Sequence, residues 1–114
     1  MSTIAATRTW FPVCAFDHLV RERGVAAYVA GRQVAIFRMY DDEIFAVGNC
    51  DPFTNAYVLS RGIVGTRGEV PTVASPLLKH AFDLRTGVSL DDSSKRLPVY
   101  EVRVVDGTVE VLCP

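Results

Sequence analysis

Apolar residues in this chain fall into short runs broken by turn residues, and no stretch keeps a helical period. Thr9 to Val13, with Trp10 and Phe11, reads as a first strand. Asp17-His18-Leu19-Val20 reads as a short helix or turn with Asp17 as its cap. Val25 to Val29 and Gln33 to Met39 flank Ala30-Gly31-Arg32 and predict a hairpin. Tyr40-Asp41-Asp42 then turns the chain into a strand over Glu43 to Val47.

From Gly48 to Gly68 the pattern dissolves into Asn49, Asp51-Pro52, Asn55, Gly62, Gly65 and Gly68, which predicts loop throughout. Strand character resumes over Val70 to Ala74, where Pro71 points to an edge or a strand start. A second loop opens at Ser75-Pro76 and leads into Ala81-Phe82-Asp83-Leu84, closed by a tight turn at Arg85-Thr86-Gly87. The last strands, Val99 to Val105 and Thr108 to Leu112, flank Asp106-Gly107, a pair suited to a type I′ turn. Many short strands with turns between them predict an all-β fold, a sandwich or small barrel. With no repeat or linker, residues 1–114 read as a single domain with its core at about 9–112.

Composition agrees with a globular chain: 49% of residues are hydrophobic and 22% charged, too apolar for disorder. Twelve Lys and Arg against thirteen Asp and Glu leave a net charge of −1, which argues against nucleic acid or anionic membranes as partners. The N-terminus lacks a basic segment followed by a long apolar one, so no signal peptide is expected, and no run is long enough to span a membrane. Three widely separated cysteines make no disulfide framework and point to a reducing cytoplasm.

The candidate chemistry is thin. There is no Gly-x-Ser-x-Gly elbow, and the glycines at 62, 65 and 68 lack the Lys-Ser/Thr pair of a phosphate loop. Cys14 and His18 are four apart, Cys50 is isolated and His80 is remote, so no closed zinc site is spelled out. His18 and His80 read as surface or half-buried histidines, and Cys14 and Cys113 as small buried hydrophobes.

Two loops become informative together. Asn49-Cys50-Asp51-Pro52-Phe53 follows a strand, and Ser75-Pro76-Leu77-Leu78-Lys79-His80 leads into Phe82-Asp83-Leu84-Arg85-Thr86-Gly87. From Trp10 to Leu112 this layout resembles the Rieske ferredoxin family, with its Cys-x-His loop and its Cys-Pro-x-His loop before Phe-Asp-Leu-x-Thr-Gly. A Rieske [2Fe–2S] centre takes two Cys on one iron and two His on the other. Aligned on Pro52 and Pro76, the four ligand places hold Asp51, Phe53, Ser75 and Leu78, and Cys50 and His80 sit off register. The resemblance therefore implies the fold without its cluster. Phe53 and Leu78 are expected to fill the vacated space, each contributing roughly 1.5–3 kcal/mol if buried. Asp51 and Ser75 are expected to bond backbone amides in the turns.

Within that family, Asp51-Pro52-Phe53 and Val58-Leu59-Ser60-Arg61-Gly62-Ile63-Val64-Gly65 are similar to the small subunits of NAD(P)H-dependent, assimilatory-type nitrite reductases. That resemblance implies a non-catalytic subunit with no cofactor of its own. Its partner would be a large subunit carrying FAD, an iron–sulfur cluster and sirohaem, which reduces nitrite to ammonium. The docking surface expected from it is the loop tip: Phe53, Thr54, Asn55, Leu77, Leu78 and Lys79, with Arg61, Arg67 and Arg85 at the rim. A Rieske-type electron carrier with altered ligands and a small β-barrel binding module are the competing readings.

Overall fold

The computed structural model describes residues 8–113. Among them the chain forms ten strands: β1 Thr9–Ala15, β2 Arg23–Val29, β3 Arg32–Arg38, β4 Ile44–Gly48, β5 Ile63–Arg67, β6 Val70–Ala74, β7 Ala81–Asp83, β8 Val99–Tyr100, β9 Val102–Val105 and β10 Thr108–Cys113. Two single-turn 3-10 helices, Phe16–His18 and Leu59–Arg61, complete the order. The strands make three antiparallel sheets in the orders β1-β10-β9, β2-β3-β4-β8 and β5-β6-β7.

The unbroken apolar run Val34–Phe37 explains the layering, because a strand covered on both faces needs no polar alternation. Ala35 and Phe37 face one core with Val47, Leu59, Val73, Phe82 and Leu84. Val34 and Ile36 face the other with Val29, Val109, Val111 and Cys113. The four-stranded sheet thus lies between the two three-stranded ones.

Both hairpins with a two-residue loop and positive φ at each position fall where turn chemistry places them. Ala30-Gly31 has φ of 50° and 78°, and Asp106-Gly107 has 51° and 77°, as a type I′ turn requires.

Three expectations are corrected, and the one for Pro71 is met at a strand start. The stretch from Gly48 to Gly68 is not all loop, since β5 runs through Ile63–Arg67 and pairs with β6. It is an exposed strand, so its residues carry little apolar signal. Pro71, expected at an edge or a strand start, is the second residue of β6, at the start of the central strand of its sheet. Its carbonyl accepts from Leu84 N–H at 2.9 Å, so its missing N–H falls on the same side, just past the end of β7. Val99 to Val105 is two strands: β8 pairs with β4 and β9 with β10, the chain changing sheets at Glu101. Asp17 lies within the first 3-10 turn, whose N-cap is Ala15 with no side-chain bond.

Candidate functional site

The two loops form one end of the molecule, and their backbones curl on themselves. In the first, Asp51 N–H donates to the Ala56 carbonyl at 2.8 Å and Asn55 N–H to the Asp51 carbonyl at 2.7 Å, with Asn55 in the left-handed region at φ 60°. In the second, Ser75 N–H donates to the His80 carbonyl at 2.9 Å and Lys79 N–H to the Ser75 carbonyl at 3.0 Å, with Lys79 also at φ 60°. The stretch Phe82–Gly87 anchors the second loop. Phe82 and Leu84 are buried in the core, the Asp83 carboxylate accepts from Arg85 N–H at 2.8 Å, and the Asp83 carbonyl accepts from Gly87 N–H at 2.7 Å. Gly87 has φ 80°, and any Cβ there would run into the Leu97 carbonyl.

Between the loops, the side chains of Asp51 and Ser75 meet directly. Both are buried, and Ser75 Oγ donates to Asp51 Oδ2 at 2.6 Å. Asp51 Oδ1 accepts from Phe53 N–H at 2.8 Å, so one carboxyl holds its own loop and the facing one. Phe53 stacks on His80, with ring centroids 3.7 Å apart and planes 5° from parallel, and tilts against Phe82 at 6.0 Å. One polar and one aromatic contact therefore tie the loops together.

The expected backbone bonding of Asp51 and Ser75 is present, and their bond to each other was not foreseen. The expected filling is only half right. Phe53 packs against the core, but Leu78 is 58% exposed, because the left-handed turn at Lys79 leaves Pro76 to Lys79 on the surface. The ring that packs beside Phe53 is His80, half-buried, with a buried Nδ1 that has no partner.

Leu77, Lys79 and Asn55 are exposed, and Thr54 is half-buried. Arg61 lies beside the loops, since Gly62 approaches the Ala74 carbonyl at the base of the second one. Arg67 and Arg85 do not belong to the rim: Arg67 pairs with Val70, and Arg85 shares a hollow with Thr66 and Glu69, at the opposite end of the sheet. Sequence reasoning missed Asn49, which clamps both ends of the first loop. Its Nδ2 donates to Gln33 Oε1 at 3.1 Å and the Tyr57 carbonyl at 3.3 Å, and its Oδ1 accepts from Ser60 N–H at 2.7 Å. Its only signal was an Asn at a strand end.

The three cysteines are free. Burial pushes the thiols of Cys14 and Cys113 up, away from nucleophilic use. His18 is exposed on the first 3-10 turn.

Residues 9–112 match the family described as a Rieske-like [2Fe–2S] domain. The chain belongs to that family. It is 42% identical over 103 residues to the nitrite reductase (NADH) small subunit of Escherichia coli K12, covering 90% of this chain and 95% of that one. A Mycobacterium tuberculosis crystal structure, provisionally assigned as an NADH-dependent nitrite reductase small subunit, superposes with a TM-score of 0.91 at 47% identity, covering 95% and 97% of the two chains. A stretch of the nitrite reductase [NAD(P)H] large subunit of Klebsiella oxytoca is 36% identical over 105 residues, covering 92% of this chain but 11% of that protein.

The residues between the loops do not suit the cluster this family is described by. Two thiolates and two imidazoles are needed, and the facing side chains here are a carboxyl and a hydroxyl already bonded to each other. The Phe53 ring that packs beside them has no ligating atom. Among the described residues, no helix is long and apolar enough to cross a membrane.

Proposed function

We propose that this chain is the small subunit of a cytoplasmic NAD(P)H-dependent nitrite reductase: a single Rieske-like domain without a cluster, which docks on and supports the large subunit. The observation that carries the reading is the Asp51–Ser75 bond at the place where a cluster would join the loops, in a chain matching small subunits along almost their whole length. With no redox group it moves no electrons; FAD, the iron–sulfur cluster and sirohaem belong to the large subunit. The Klebsiella large subunit supports the partnership, since a domain like this one is part of its polypeptide. Free cysteines accord with a reducing compartment.

Docking falls to the tip, where Leu77 and Leu78 are 51% and 58% exposed beside Lys79, with Thr54 and Asn55 on the neighbouring loop and Arg61 at the flank. Phe53 supports the tip from within. Nitrite reduction by the large subunit, with and without this chain, tests the role; unchanged rate, stability and cofactor retention would refute it. Leu77→Ser with Leu78→Ser tests the surface. Stability should stay within about 0.5 kcal/mol, as at most exposed sites, while co-purification with the large subunit falls. Iron and sulfide in the purified chain would revive the electron-carrier reading.

A further inference from the structure

The β5-β6-β7 sheet has one closed edge and one bare edge. Beyond β7 the chain covers itself: Asp83 N–H donates to the Val88 carbonyl at 2.9 Å and Leu90 N–H to the Ala81 carbonyl at 2.8 Å. Among the described residues, β5 has no backbone partner except β6. An antiparallel strand turns alternate N–H and C=O pairs outward, so β5 presents a row of unused donors and acceptors. It carries no proline or bulge to guard that row, and its one charged residue, Arg67, stands at its end. The outer strand β1, by contrast, holds Pro12 and a bulge between Pro12 and Cys14.

A groove follows this bare edge. Three hollows of about 380, 100 and 340 Å³ adjoin, the first two sharing Glu22 and the last two sharing Met39, Tyr40 and Thr66. Consecutive residues line it, Arg61 to Ile63 and then Val64 to Thr66, as happens when a groove runs along a strand's edge and not across its face. Charge divides along its length. Arg23 and Arg61 face Glu22 at the loop end, while Asp41, Glu43 and Glu69 outnumber Arg85 at the far end. Among the described residues these groups form no salt bridge.

We propose that β5 is a strand-addition edge. It takes an extended segment of the large subunit, with an acidic residue at the Arg23/Arg61 end and a basic residue at the Asp41/Glu43/Glu69 end. This rests on the partnership proposed above and adds a second contact to the tip. Main-chain bonds supply the affinity, and the split charge sets the direction of the incoming strand.

Hydrogen exchange on the full chain, alone and with the holo large subunit, tests it. The outward amides of residues 63–67 should slow roughly ten-fold or more in the complex, with β7 unchanged. Arg23→Glu, which leaves Arg61 at the tip's flank in place, should weaken the complex by about ten-fold while the thermal midpoint of the free chain holds. A complex that leaves 63–67 exchanging freely overturns the strand addition but not the partnership. Failure to form any complex overturns both. Protection that grows with the free chain's own concentration assigns the edge to a second copy and overturns the assignment to the large subunit.

Discussion

The middle of the molecule and its loop tip are held together by different means. Around β3, four successive side chains are fully buried on alternating faces, and the contacts are hydrocarbon on hydrocarbon. At the tip a few specific contacts do the holding: the Asp51–Ser75 bond, the Phe53–His80 stack and the Asn49 clamp. The middle depends on many interchangeable contacts and the tip on a few irreplaceable ones. A scaffold can thus stay firm while its presenting end is set by a small number of residues.

The contrast can be broken first in the middle. Phe37→Ala removes a ring with no exposed surface and should cost about 3–5 kcal/mol in denaturant unfolding. At the tip, Asp51→Ala strands the Ser75 hydroxyl and the Phe53 amide, a loss of about 1–3 kcal/mol for each unmet group. The double variant with Ser75→Ala should recover part of that. Additive losses in the cycle would show that the two loops are not coupled through this bond.

The smallest effect is ionic and lies at the end of β3, in its turn to β4. Asp42 accepts from Arg21 at 2.7 and 2.9 Å and from Arg38 at 2.9 Å. The Arg21 hydrogen bond, aided by Arg38, holds its carboxyl at about 2, below the usual 3.8. A lowered folded-state value stabilises the protein above pH 4 and loses that contribution as pH falls from 4 towards 2. Thermal midpoints at pH 6 and pH 3 should differ less in Asp42→Asn than in the parent chain. Equal differences would assign the acid sensitivity to other groups.

What could be read from the residues follows the same divide. β3, β4 and β10 were legible because buried strands need apolar side chains, β2 because Val25–Val29 is an apolar run although most of it is exposed, and the Asp106-Gly107 turn because it needs positive φ. β5 was not, because an exposed strand needs neither. The break at Glu101 was hidden because Val-Tyr-Glu-Val-Arg-Val-Val alternates as smoothly across two sheets as along one. In the site, Asp51, Phe53 and Ser75 could be placed because Pro52 and Pro76 mark the register. The exchange of Leu78 for His80 could not, since it depends on one left-handed backbone angle at Lys79.

The two-sided burial of β3 also bears on pairing errors. A slip of one residue against β2 or β4 would move Phe37 out of one interior and into the other, and Val34, Ala35 and Ile36 would change sides with it. Where a strand has one wet face, such a slip spoils one packed surface. Here it would spoil two at once, so the run Val34–Phe37 acts as a double key for strand alignment.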